Sequence, residues 1–447
     1  MCRRIVLVLC LFILGSSLEA SQPQLPTDAP AGSDTGTAPT AFQPSVNKRA
    51  PSAYTLSPHR AAQAVAYARA SHQLYFLNLA YSVAVLLLLL RFRVAPRFRD
   101  WAEGASQSRF LQALVFVPGF ALTFDVLTLP LDMAGHWMQR HFGQSIQGWG
   151  SWLWDQTLAD MVSIASVVFL VWLLYLAIRR SARHWWFYGW LAALPVILFT
   201  GFVNPLLIDP LFSQFTPLAA SQPELTKQIE RVVVRSGQQI PESRIFLMDA
   251  SRKVDQVNAY VTGLGGSERV VVWDTIVSRM TTPQILFVFG HEMGHYVLRH
   301  SLQQMMFAAG LLLVVLWAAS YVFRWAVDRY GDAWALRGVD DWASLPVLFL
   351  LLSLFGFVCT PAIAAFNRHL EHQADQYGLE VVHGLIPDVS GVAAESFRIL
   401  GELDLEEPSP SWLVKIWFYT HPPIAERIRF AYDYDPWAKG QSPRFVK

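Results

Sequence analysis

Long apolar runs separated by short charged loops dominate the chain. Six of them, at 73–92, 110–131, 159–178, 185–206, 304–325 and 344–366, hold about the 20 residues that a helix needs to cross the hydrocarbon core of a bilayer. Two polar blocks interrupt the pattern, residues 207–300 and residues 367–447. In the first block, Leu225–Val234 has helical spacing, whereas Arg244–Met248, Val257–Thr262 and Arg269–Trp273 are short β-branched and aromatic runs. Gly263, Gly265 and Gly266 between the last two signal a hairpin. A further helix is expected from Thr282 as N-cap, with Pro283 at the first helical position, to about His300. The pattern predicts a mainly α, polytopic membrane bundle carrying a small α+β domain to which both polar blocks contribute.

The first 20 residues carry Arg3 and Arg4, an apolar run from Ile5 to Gly15, and small residues ending at Ala20, the layout of a signal peptide or a first membrane anchor. Residues 21–56 are rich in Pro, Ser, Thr and Ala without apolar periodicity and read as a flexible linker. The expected organisation is then an N-terminal membrane domain of four spans over 57–206, and a second domain over 207–447 that includes the two later spans.

Composition agrees with a membrane protein. Of 447 residues, 53% are hydrophobic and 15% charged, too apolar for a string of soluble domains. A formal net charge of +1 excludes the basic surface that would recruit nucleic acid. The arginines report orientation instead. Arg91, Arg93, Arg97 and Arg99 follow the first span and Arg179, Arg180 and Arg183 the third, whereas the loop between them, 132–158, has only Arg140. By the positive-inside rule the Arg-rich loops are cytoplasmic and both polar blocks lie on the extracytoplasmic side, in a bacterial cell outside the inner membrane.

Candidate chemistry centres on His291-Glu292-Met293-Gly294-His295. On a helix, residues four apart share a face, so both imidazoles can bind one Zn²⁺ while Glu292 takes a proton from the attacking water. A hydrolytic zinc site uses three protein ligands and keeps an open position, so one more ligand is required. The run Asn367-Arg368-His369-Leu370-Glu371-His372-Gln373-Ala374-Asp375 supplies candidates. Glu371 and Asp375 share a helix face, so one can bind metal while the other orients a histidine; His369 and His372 remain rival ligands. A reading from another class makes the bundle a transporter or receptor with a structural or sensing zinc site. Such sites normally use four protein ligands, often cysteines, and have no need of Glu292.

Taken together, His-Glu-x-x-His, a two-span hairpin and Asn-Arg-x-x-Glu-x-x-Ala-Asp resemble the type I CAAX prenyl endopeptidase family, zinc proteases related to the a-factor-converting enzyme. Asn258-Ala259-Tyr260 with Gly263-Leu264, Val270 to Asp274-Thr275, and Thr420-His421-Pro422-Pro423 with Arg427 extend the likeness, as do Leu129-Pro130, His141-Phe142-Gly143, Trp149, Trp152 and Asp155. It covers about residues 54–432. The chain resembles a bacterial-type member, with a signal-like leader where eukaryotic members have a further span. The resemblance implies a gluzincin-type zinc metalloendopeptidase domain with one zinc per chain, held by His291, His295 and Glu371. Glu292 is then the general base, Asp375 supports a ligand histidine, and His421 and Arg427 stabilise the oxyanion or, with Asn258, Ala259 and Tyr260, hold the substrate backbone. The expected partners are the lipid bilayer and a peptide or membrane-associated protein substrate. A quality-control protease for damaged membrane proteins is a related reading. Cytosolic CAAX proteins sit on the opposite side of the membrane from the polar blocks as the arginines orient them.

Overall fold

The computed structural model describes residues 54–203, 213–252, 256–262 and 268–446. The expected leader, the linker as far as residue 53, and the glycine turn at 263–267 lie outside the described residues. Among the described residues, five helices are long and apolar enough to cross a membrane: α1 (Pro58–Arg91), α3 (Arg109–His141), α4 (Trp149–Arg180), α9 (His300–Trp334) and α10 (Leu345–Val382, with a preceding 3₁₀ turn from Trp342). Helix α2 (Val94–Ala105) is short and amphipathic. The expected span at 185–206 is helix α5 (Trp185–Val203), whose described apolar part, Trp185–Leu198, is shorter than the others; its last three residues lie outside the described residues.

One apolar core binds α1–α5 to α9 and the first half of α10, so helices on both sides of the first polar block build a single bundle. At one end of it the Arg-rich loops meet the tip of the α9–α10 hairpin. Arg99 Nη1 lies 2.7 Å from Asp341 Oδ2 in a buried ion pair, and Arg93 and Arg179 donate to the carbonyls of Ala333 and Asp340. The polar blocks form the other end, around a second core.

Among the described residues, that core holds a four-stranded sheet, α-helices from both polar blocks and the end of α10. The strands are β1 (Phe215–Pro217), β2 (Ile245–Met248), β3 (Ala259–Thr262) and β4 (Arg269–Trp273), in the order β1-β2-β4-β3. The expected hairpin is the antiparallel pair β3–β4, with Ala259 opposite Val272 and Thr262 opposite Arg269. Strand β2 runs parallel to β4, and β1 is an edge strand that the sequence pattern did not signal. Helix α6 (Pro223–Arg235) takes up the expected helical run at 225–234; α7 (Asp274–Arg279) follows β4. Helix α8 (Thr282–Val297) packs with α6, the end of α10, α11 (Val389–Leu403) and α13 (Ile424–Asp433), while α12 (Trp412–Phe418) packs on α10. Tyr54 is buried in this core and Leu56 packs against it.

Helix α8 begins one residue earlier than its sequence suggests. Thr281 is the N-cap, and its N–H donates to the Gln284 side chain at 2.8 Å, which places Pro283 at the second helical position. The helix stops at Val297; Arg299 turns the chain with a φ of 57°, and His300 opens α9.

Glycines let α8 and α10 approach to backbone contact. A Cβ on Gly294 would lie 2.9 Å from Tyr377 Cβ and 3.2 Å from Ala374 Cα, and one on Gly378 would lie 3.1 Å from His291 N. Past this crossing, the buried Glu380 carboxylate accepts backbone N–H groups of Arg444, Phe445 and Val446 at 3.0, 2.6 and 2.8 Å, fastening the C-terminal segment to α10. Replacing Gly294 with valine is expected to push the two helices apart and lower the thermal midpoint of the detergent-solubilised protein. Overpacking costs about 1–3 kcal/mol, and an unchanged midpoint would show that the close approach is dispensable.

Candidate metal centre

Four segments converge where α8 crosses α10. Helix α8 brings His291, Glu292 and His295, α10 brings Glu371 and Asp375, the loop after α12 brings His421, and α13 brings Arg427. Among the described residues, His291, His295 and Glu371 form the one group with suitably close metal-binding atoms. His291 Nε2 and His295 Nε2 are 3.1 Å apart, and they lie 3.3 and 3.5 Å from Glu371 Oε2. His421 Nε2 approaches the same oxygen at 3.2 Å.

Both imidazoles are held from behind. His291 Nδ1 donates to Asp375 Oδ1 at 2.9 Å, and Asp375 in turn accepts from Arg427 Nε at 2.9 Å and Nη2 at 2.6 Å. The Arg427 guanidinium also stacks over the Phe397 ring, 4.2 Å from its centre. The contacts of Arg427 are thus directed at Asp375 and Phe397 rather than at open space. His295 is backed differently, by His300 Nδ1 at 3.0 Å from His295 Nδ1; His300 Nε2 lies 3.2 Å from Gln373 Oε1, and Gln373 Nε2 lies 2.9 Å from His369 Nε2. A single proton assignment satisfies the whole row. If His295 Nδ1 donates to His300, then His300 Nε2 donates to Gln373 and the Gln373 amide donates to His369, leaving His295 Nε2 with a free lone pair.

The electrostatics of the cluster call for a cation. Glu371 Oε2 is buried and has no hydrogen-bond donor, although three ring nitrogens surround it. Burial alone would lower the His291 pKa, but Asp375 and Glu371 raise it to about 10, so the paired carboxylates hold an extra proton where a metal ion can replace it. These residues therefore fit a metal ion bound at the two Nε2 atoms and at Glu371. Beside them Glu292 Oε1 lies 3.9 Å from His291 Nε2, and burial pushes its carboxyl pKa up. About half of the His421 side chain is open, and burial lowers its pKa, so its ring stays neutral beside Glu371.

The remaining candidates divide. His369 is spoken for by Gln373, and His372 packs on Phe430 with ring centres 4.3 Å apart. Asn258, Ala259 and Tyr260 begin the edge strand β3, which packs against α8. Because Trp273 N–H donates to the Asn258 carbonyl at 3.1 Å, ladder alternation turns the N–H and C=O groups of Ala259 and Val261 to the free edge. The Tyr260 side chain packs on the far face of the sheet, with Met248 and Trp273. His300 and Gln373 are the site residues that the sequence motifs did not single out. Their one signal was the position of His300 five residues after His295, which carries no weight until the chain is seen to turn at Arg299.

The geometry has known counterparts. Residues 219–434 match the family model described as Peptidase family M48, and residues 41–214 match that described as CAAX prenyl protease N-terminal, five membrane helices. A Bacillus subtilis protein named uncharacterized metalloprotease YhfN is 34% identical over 382 residues, covering 84% of this chain and 86% of its own. CAAX prenyl protease 1 of Saccharomyces cerevisiae is 24% identical over 409 residues, 82% of this chain and 84% of the relative. The human CAAX prenyl protease 1 homolog is 24% identical over 386 residues, 75% and 77% of the two chains. The crystal structure of S. mikatae Ste24p superposes with a TM-score of 0.70 at 22% identity, covering 83% of this chain and 88% of that one, which establishes a shared fold. With the family models and the B. subtilis relative spanning most of its length, the chain belongs to peptidase family M48 and is a multi-pass membrane metallopeptidase.

Proposed function

We propose that the metal is one zinc ion, held by His291, His295 and Glu371, and that the protein is an endopeptidase cutting peptides or membrane-associated proteins beside the bilayer. The spacing of the three ligand atoms carries the zinc assignment. Atoms about 2.0–2.1 Å from a tetrahedral zinc stand about 3.3 Å apart, and the three separations are 3.1, 3.3 and 3.5 Å.

When bound, zinc lowers the pKa of water towards about 7 and polarises the scissile carbonyl. The chain's own groups do the rest. Glu292 accepts the proton of the attacking water and passes it to the leaving amine, helped by a carboxyl that burial makes more basic. His421 faces the reacting carbonyl from across Glu371 and donates to its developing negative charge. Asp375 keeps His291 in the tautomer whose Nε2 is free, Arg427 anchors Asp375 and so acts one step behind the ligands, and His300 does for His295 what Asp375 does for His291. The free edge at Ala259 and Val261 pairs with an extended peptide, and the Asn258 side chain holds its backbone.

The arginine bias orients the catalytic end outward, in a bacterium away from the cytoplasm. The yeast and human relatives described above carry the name CAAX prenyl protease. With this orientation the substrates of this chain are instead peptides or membrane-associated segments displayed at the outer surface.

Three measurements test this reading. Glu292→Gln in the detergent-purified protein is expected to keep zinc, quantified by mass spectrometry, while cleavage of a quenched peptide library falls about 100- to 10,000-fold; retained cleavage would move the base elsewhere, and a site that only senses metal would show no cleavage in the wild type. His300→Ala is expected to weaken zinc binding about 10- to 100-fold in chelator competition, with His300→Asn restoring part of the affinity through its carbonyl acceptor; equal affinity in all three proteins would remove His300 from the site. A C-terminal alkaline phosphatase fusion should be active and a C-terminal green fluorescent fusion dark in a bacterial host, and the reverse would invert the orientation.

A further inference from the structure

Helix α12 turns an apolar face outward. Ile416 lies one turn on from Trp412 and Leu413, so the three share that face, and they keep 39, 67 and 58% of their surface open. The one charge in the helix, Lys415, is paired with Glu426 Oε1 of α13 at 2.7 Å. The other side of the helix packs on membrane spans. The Trp417 ring centre lies 4.7 Å from that of Phe357 in α10, and the Phe418 ring centre lies 5.1 and 5.8 Å from those of Tyr75 and Phe76 in α1. Tyr75 and Phe76 stand in the first turn of the apolar run 73–92. Phe357 stands nine residues before the end of the run 344–366, about 13 Å at 1.5 Å per residue. Helix α12 therefore lies at the depth of the span ends nearest the metal centre. Phe76 and Leu77 are themselves exposed on α1, so the open apolar side of that span runs on to α12.

The same helix leads into the site. Arg368, three residues before Glu371 on α10, donates through Nη1 to the carbonyl of Lys415 at 2.9 Å and to that of Tyr419. Two residues after Tyr419, His421 Nε2 stands 3.2 Å from Glu371 Oε2. The depth of α12 thus fixes the chain immediately before His421.

We propose that α12 is an interfacial helix whose Trp412, Leu413 and Ile416 enter the acyl-chain border of the leaflet nearest the metal centre, and that this seat positions His421. A tryptophan beside leucine and isoleucine suits that border, where an indole ring meets acyl chains on one side and headgroups on the other. Lipid then holds the helix from outside as Arg368 holds it from inside. The seat itself requires no catalysis; its effect on His421 rests on the endopeptidase reading above.

The seat is read with a polarity-sensitive nitrobenzoxadiazole label on Leu413→Cys. The full chain carries it, with Cys2, Cys10 and Cys359 replaced by serine, in nanodiscs of phosphatidylcholine and phosphatidylglycerol. The label is expected to be quenched by lipids spin-labelled near the top of the acyl chain and spared by iodide. The same label on Val234→Cys, exposed on α6, is expected to show the reverse. Iodide quenching at Leu413 overturns the proposal, and so does a label shielded from both quenchers, which would put a protein segment on the face. The coupling is read from peptide cleavage in the same nanodiscs. Leu413→Asp is expected to lower kcat about 10- to 100-fold, as displacing a group at the reacting centre does, with bound zinc unchanged and Leu413→Met fully active. In a His421→Ala background the same substitution is expected to have no further effect; an equal loss in both backgrounds would show a merely structural role and overturn the link to His421. If the wild type in nanodiscs cleaves nothing, the endopeptidase reading fails while lipid quenching at Leu413 still supports the seat.

Discussion

Everything catalytic in this protein depends on two helices touching at backbone distance. Because Gly290, Gly294 and Gly378 carry no side chain, α8 and α10 close until His291 N lies only 3.1 Å from where a Cβ on Gly378 would stand. Helices with ordinary side chains at the contact pack 8–10 Å apart; the closer crossing lets short groups, two imidazoles and one carboxylate, meet at a point. The same contact sets Asp375 behind His291 without any loop having to reach in. Rigid placement of ligands by helices rather than loops is what keeps a metal geometry within tenths of an ångström.

The site is also built as nested charges. Glu371 and Asp375 are both buried, one turned to the ring nitrogens of His291, His295 and His421 and one turned to Arg427, whose guanidinium neutralises it. Burying one carboxylate without a partner costs several kcal/mol. At Asp375 a permanent cation, the Arg427 guanidinium reaching in from α13, offsets that cost.

How far the sequence alone carried the reading varies by scale. The membrane helices were legible because their signal is compositional and long, and the β3–β4 hairpin because alternation and glycines agreed locally. His291, Glu292 and His295 could be read because helical spacing converts directly into a shared face, whereas spacing left Glu371 and Asp375 interchangeable beside His369 and His372, and only the family resemblance singled out Glu371. Strand β1 was not legible: Phe215–Pro217 is three residues long and ends in proline, and only its pairing with β2 makes it a strand. His300 was hidden by an assumed continuous helix, since the left-handed turn at Arg299 has no glycine to announce it. For Arg427, spacing after His421 could mark it as a site residue but could not say which carboxylate it would meet, because that depends on how α13 packs across α10. The linker boundary failed to register Tyr54 for a related reason: a lone aromatic in a polar stretch has no period, and only the core it enters reveals it.

Helix α10 runs without a break from the bundle to the metal centre, and this has a mechanical meaning. Its 38 residues span about 57 Å at 1.5 Å per residue, nearly twice the about 30 Å hydrocarbon core. Counting from residue 366, where the apolar run ends, Glu371 stands about 7–8 Å farther along the axis, about the outer edge of the lipid headgroup layer. The helix is thus a ruler whose zero is the end of the apolar run: it fixes the height of the His291, His295 and Glu371 cluster above the membrane-spanning part of the protein.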